Sequence, residues 1–218
     1  MRALSRHLNR IARTRARGQI ITMFPAALIV LVLLATLTLD GALMQQSQRD
    51  LEIVATHAAT VGATDIDRAY YDAQCSVLIK SHTYYLDPTD TFIVPAGTPG
   101  AISHTPTAVD CNQFLLLNTA TAFTDANASA NTWLTQVTTQ MLNLPGARPT
   151  GVPTISICFD QALLGGCGQP IRAKTITVTV RYCYKPMMLS GFFTEPRCAD
   201  PHSVLVVASY TSDPLAGQ

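Results

Sequence analysis

From residue 18 to residue 39 the chain carries no charge, and Ile20 to Leu39 is apolar at 16 of 20 positions, broken only by Thr22, Pro25, Thr36 and Thr38. As a helix, 22 residues reach about 33 Å, enough to cross a hydrocarbon core of about 30 Å. The recurrence does not stop at Asp40: Leu39, Leu43, Gln46, Asp50, the pair Ile53 and Val54, Ala58 and Val61 return at three- to four-residue steps. That is the helical period, with Gln45 to Asp50 supplying a polar face. One continuous helix from about Gln19 to Ala63 is therefore predicted, its first half in lipid and its second half a stalk. Pro25 then falls within the first two turns, where its missing N–H costs little.

Beyond the stalk the pattern is shorter and mixed. Asp67 to Gln74 reads as a capped helix, Cys75 to Ile79 as a strand, and Leu86-Asp87-Pro88 as a turn into a strand over 89–93. Residues 95–108 read as a loop. Phe114 to Thr121 and Asn127 to Leu144 read as helices, the second with Trp133, Leu134, Val137, Met141 and Leu144 on one side and Pro145-Gly146 ending it. Alternation with period two then takes over in Thr154–Phe159, Lys174–Tyr184 and Ser203–Tyr210, an antiparallel three-strand meander turning at Gly165-Gly166-Cys167-Gly168. The fold class is α+β: a long transmembrane and stalk helix, then an extracytoplasmic domain of helices and a small β-meander. The boundaries are 1–17 basic tail, 18–40 membrane helix, 41–64 stalk and 65–218 disulfide-braced domain.

Charge fixes the expected orientation. Net charge is +1, but residues 1–17 hold six of the 15 basic residues and none of the 14 acidic ones, which leaves −5 for residues 18–218. An arginine cluster beside an apolar span stays cytoplasmic, so everything after Asp40 is expected outside. A cleaved signal peptide is the rival reading, but the run is longer than the usual 7–15 residues, and Asp40 sits where a cleavage site needs a small neutral residue. The mildly acidic remainder offers no basic footprint for nucleic acid.

All six cysteines, Cys75, Cys111, Cys158, Cys167, Cys183 and Cys198, follow the apolar run. An even count on an exported side favours disulfides over metal ligation. Fifteen connectivities are open; sequence neighbourhood suggests Cys158–Cys167 and Cys183–Cys198, leaving Cys75–Cys111. No catalytic, cofactor or metal residue is nominated: no G-x-S-x-G, H-E-x-x-H, Walker loop or G-x-G-x-x-G occurs. His57, His82, His104 and His202 read as solvated or capping residues. Asp65, Asp67 and Asp72 lack the glycine and closing glutamate of a calcium loop. Asn127-Ala128-Ser129 fits a glycosylation sequon.

Arg17-Gly18-Gln19-Ile20, the apolar run ending Leu39-Asp40-Gly41, and Gln48-Arg49-Asp50-Leu51-Glu52 through Ala55–Ala59 to Gly62-Ala63 together resemble the TadE/TadG-like pilus-assembly family. Ile66-Asp67-Arg68-Ala69-Tyr70 and Leu86-Asp87-Pro88 extend the resemblance, which covers about residues 17–90 and is only architectural over 150–211. Met23 stands where pilin-like relatives carry a glutamate, and the metal-dependent adhesion motif of the larger relatives is absent. The resemblance implies a non-enzymatic, single-pass minor pilin-like component or assembly factor of Flp/Tad-type pili. Its implied partners are other pilus or secretion membrane proteins, pilin-like helices and the lipid bilayer, in a homo- or hetero-oligomer. Gly18, Pro25, Ala27 and Ala35, with neighbouring Ala26, are the candidate helix-packing positions. Asp40 either meets a partner's basic group or marks the water boundary. An anchored extracytoplasmic ligand- or surface-binding module unrelated to pili is the alternative.

Overall fold

The computed structural model describes residues 2–105, 109–142, 148–149, 153–160, 167–186, 191 and 194–215, with backbone alone for 2–22, 140–142 and 148–149. Three helices, α1 Arg2–Ala63, α2 Arg68–His82 and α3 Thr119–Leu142, are interleaved with short strands. β1 Tyr84–Leu86, β2 Ile93–Val94 and β3 Ile102–His104 form a three-stranded antiparallel sheet in the order β2-β1-β3. β4 Leu117–Asn118 pairs with β7 Arg172–Ala173. The main sheet is built on β8 Ile176–Lys185, which pairs antiparallel with β5 Arg148–Pro149 and with β6 Thr154–Phe159, and also pairs with β9 Val204–Ser212. The class is thus α+β, with one long apolar N-terminal helix and small antiparallel sheets.

Several sequence expectations are corrected. α1 begins at Arg2, not near Gln19, because nothing in the arginine-rich stretch breaks a helix. Pro25 is therefore interior to α1 rather than in its opening turns, and its missing N–H leaves one carbonyl a turn earlier without its helical donor. Cys75 to Ile79 is helical, not a strand. The Asp67 carboxylate caps α2 by accepting the Tyr70 N–H at 3.0 Å. Once that nucleus exists, a run without Gly or Pro propagates it to His82. Of the strand expected over 89–93 only Ile93 is in a strand, because Thr89 and Thr91 donate their hydroxyls to Asp87 and hold the segment as a turn. The loop expected over 95–108 contains β3. The helix expected over 114–121 is instead a 3₁₀ turn, Asn112–Phe114, followed by β4. α3 starts at Thr119 and absorbs both the end of that segment and the later helix. Pro145-Gly146 and Gly165-Gly166 lie outside the described residues.

Contacts divide the chain into two compact units, Met1–Gln48 with Met141–Val152 and Cys183–Val206, and Arg49–Gln140 with Pro153–Tyr182 and Val207–Gln218. In the second, α1 and α3 run antiparallel: Gly62 lies against Ala126, and His57 stacks on Trp133 with ring centroids 4.5 Å apart. The contact is made of small residues. Ala55, Ala58 and Ala59 on α1, and Ala122, Ala126 and Ala130 on α3, are fully buried. The inward side of β8, Ile176, Val178 and Val180, closes this core, as the period-two alternation requires. On the opposite side hydroxyls pair across strands, Thr177 with Thr211 at 2.8 Å and Thr179 with Ser209 at 3.0 Å.

The disulfides are Cys75–Cys111, Cys158–Cys167 and Cys183–Cys198, the pairs that sequence neighbourhood suggests. Cys75–Cys111 closes the longest loop, with a sequence separation of 36. By the chain-entropy argument a loop of that size is worth about 4 kcal/mol.

Candidate membrane helix and its polar exit

α1 is the one described helix long and apolar enough to cross a bilayer. Its exposure separates it from a core helix. From Met23 to Leu39 the large side chains are between 48% and 69% exposed, on every side of the helix. A soluble domain buries one stripe of such a helix; an exposed apolar helix with no buried stripe is compatible with a membrane anchor.

Three of the packing candidates fall within this segment. Pro25, Ala27 and Ala35 are exposed, and Gly18 lies on the helical backbone. Met23, Ala26, Ala27, Val30, Leu31 and Leu34 outline an apolar hollow of about 550 Å³. Positions 23, 27, 30 and 34 recur at steps of four, three and four, the spacing of a helix–helix seam. The hollow is shallow and open, and the two alanines are its smallest lining residues. Ala35 is outside the hollow.

Asp40, at the end of the uncharged run, is a buried polar residue. It is only 4% exposed, in the same unit as Tyr184, and Ser47 two turns on is buried to the same degree. The end of β8 belongs to the same unit, and the Asp40 charge is felt at Tyr184. Tyr184 is 1% exposed, and its hydroxyl has no hydrogen-bond partner among the described residues. Burial, and then the Asp40 charge, push its pKa above the ordinary tyrosine value. The same unit is braced by the Cys183–Cys198 bridge and by an ion pair between Lys185 Nζ and Asp200 Oδ2. That ion pair, foremost among the causes, holds the Asp200 carboxyl below its usual range. Sequence reading placed Tyr184 only as one residue of an alternating strand. Nothing in the local pattern signals that Tyr184 comes within electrostatic range of Asp40, 144 positions earlier.

Tyr184→Phe removes the unpaired hydroxyl and keeps the ring. An unpaired buried polar group costs about 1–3 kcal/mol, so the full-length variant in detergent melts higher, by about 2–4 °C per kcal/mol recovered. A lower melting temperature contradicts the assignment.

The remaining candidates are spread apart and occupied locally. Asp67 caps α2 and accepts from Arg172 Nε at 2.7 Å, and the Arg172 guanidinium lies 4.4 Å over the Tyr70 ring. The Tyr70 N–H first, and Arg172 second, hold the Asp67 carboxyl below its usual range. Asp65 is raised instead, by burial and by the Asp125 charge, and its Oδ2 has no described partner. The aspartates near residue 65 are thus separate devices. His104 Nε2 lies 2.9 Å from Asp90 Oδ1 and the imidazole stacks on Tyr84; His82 Nδ1 lies 2.9 Å from the Leu78 carbonyl. Asn127 of the sequon sits inside α3, where its carbonyl accepts from Asn131. Among the described residues no three His, Cys, Asp or Glu stand together as a metal site. A cleft of about 350 Å³ is walled by Phe123, Phe159 and Ile171. The polar atoms at its rim are spent locally: Asn118 Oδ1 accepts the Ala120 N–H, and the Thr119 hydroxyl donates to the Pro170 carbonyl.

No protein-family model, no curated protein and no solved structure matches this chain.

Proposed function

We propose that the protein is a single-pass membrane protein, its N-terminus cytoplasmic and its disulfide-braced portion outside, that serves as a minor pilin-like component or assembly factor of a Flp/Tad-type pilus. The observation that carries the membrane reading is the unburied apolar surface of α1 from Met23 to Leu39. Six arginines before it and three disulfides after it agree with an inside-to-outside orientation. The order of Arg17-Gly18-Gln19, the apolar run, Asp40-Gly41 and the alanine-rich stretch to Ala63 supports the pilus reading. The protein acts by contact rather than by chemistry. In a bilayer, helices associate through close van der Waals packing, so low-relief positions become the contact points. Ala27, which lines the hollow, takes that role, with Ala35 and Gly18 along the same helix.

The test is disulfide crosslinking between single cysteines placed in this helix and in neighbouring pilin-like helices, in membranes assembling the pilus. Ala27→Ile, which fills the hollow, is expected to reduce the crosslinked fraction severalfold while the chain stays in the membrane. Unchanged crosslinking removes the packing role. Deletion of the protein with pilus assembly intact removes the pilus reading and leaves an anchored binding module.

A further inference from the structure

The described residues of 64–116 bury little. Among the described residues of that stretch Cys111 alone is buried, and α2 contains no buried residue. Yet the segment is rich in exposed apolar side chains: Val77, Phe92, Ile93, Tyr84 and Ile102, with Phe92 at 73% and Ile93 at 76%. The register of the three-stranded sheet gathers several of them. Leu86 is paired with Ile93 on one side and with Ile102 on the other, so these three side chains form a row on one face. Two residues along β1, Tyr84 pairs with His104 on the same face and the two rings stack. A three-stranded sheet this short needs its apolar face covered to hold its shape. Here the Cys75–Cys111 bridge, the Asp87 turn and the Asp67–Arg172 pair hold the lobe in place of a core.

We propose that the lobe of residues 65–114 docks a second, different protein through the Ile93–Leu86–Ile102 face, and that the docking segment is basic and bears aliphatic or aromatic side chains. Charge selects this occupant. The lobe holds Asp65, Asp67, Asp72, Asp87, Asp90 and Asp110 against Arg68 and Lys80, a net of −4. The other residues of 18–218 hold eight acidic and seven basic residues, a net of −1. A second copy of the lobe would set −4 against −4, and an anionic lipid surface would be repelled in the same way. Asp87 and Asp90 lie in the β1–β2 turn beside this face, so a basic segment meets complementary charge next to apolar surface, the arrangement of specific protein interfaces. The inference goes beyond the pilus reading and stands without it, since it rests on the lobe alone.

The test places the photo-crosslinking residue p-benzoylphenylalanine at Phe92 of the full-length protein in its own membrane, and at exposed Thr135 on α3 as the control. The expected result is an adduct from position 92, absent from position 135, in which the captured peptide comes from a different protein and is net basic with apolar side chains. The adduct falls severalfold with exposed Asp72→Lys and with about 0.5 M salt, where screening is nearly complete beyond a few ångströms. Ile93→Ser also reduces it while the melting temperature is unchanged, because Ile93 is a surface residue. An adduct of doubled mass, a lipid-sized adduct, a neutral or acidic captured peptide, insensitivity to the substitutions or salt, or no adduct overturns the proposal.

Discussion

Substituting Leu28 and Val32 together by arginine is expected to strip the protein from the membrane. Both side chains are about half exposed and lie near the middle of the uncharged run, one helical turn apart and off the Ala27 hollow. Each arginine costs about 2.5–3.5 kcal/mol at the centre of a spanning helix, and each lost aliphatic side chain adds about 0.5 kcal/mol. The pair therefore costs about 6–8 kcal/mol, well beyond what a single anchor retains. The readout is the fraction of full-length protein resisting alkaline carbonate extraction, expected to fall from nearly all to a small residue. Conservative Leu28→Val/Val32→Leu leaves that fraction unchanged. If the double-arginine chain still resists extraction, other protein rather than lipid covers the helix.

Gly62→Leu is expected to destroy the helix–helix contact at the heart of the second unit. A Cβ at residue 62 would already stand 2.6 Å from Ile176 Cδ1, 3.0 Å from the Ala122 carbonyl oxygen and 3.1 Å from Ala126 Cβ. The isoleucine tip can turn aside; the Ala122 backbone cannot. A leucine adds three more carbons in the same direction, so overpacking reaches 3 kcal/mol or more. For a chain of this size that lowers the melting temperature by about 10 °C or leaves no cooperative transition. Gly41 is the internal control, because nothing lies within 4 Å of a Cβ there. Gly41→Ala in the same helix is expected to stabilise by up to about 1 kcal/mol through propensity alone. Equal melting temperatures for Gly62→Leu and the parent chain contradict the close approach of α1 and α3.

What could be read from the sequence follows which signals are periodic and which depend on distant partners. The long helix was legible because its apolar and small residues recur over many turns. Its end at Ala63 was placed by the same pattern, and its start was not, because an arginine-rich stretch has helical propensity without an apolar period to reveal it. Three of the four strands of the main sheet were legible from strict alternation in Lys174–Tyr184 and its neighbours, since burial of Ile176, Val178 and Val180 leaves every other position polar; the two-residue β5, Arg148–Pro149, was not. Residues 75–121 were poorly legible. A short stretch such as Cys75–Ile79, apolar except for Ser76, has the same appearance in a helix and in a strand, and only the Asp67 cap decides it. β1 to β4 are two or three residues long, below the length at which a period can be recognised, and β4 exists because β7, more than fifty residues later, supplies its partner. At the candidate site, Ala27 and Asp40 were nominated from position, while the burial of Asp40 beside Tyr184 is a tertiary fact with no local trace.

The central claim is that the helix of residues 18–40 spans a membrane with everything after Asp40 outside. Protease added to sealed cells carrying a C-terminal tag tests it most directly, with a membrane-impermeant maleimide applied in parallel. The account predicts that the tag is lost while a short N-terminal fragment survives, and that no cysteine reacts until the protein is reduced, when all six do. A protected tag, together with cysteines that alkylate only after the cells are opened and without reduction, would place the domain in the cytoplasm and contradict it.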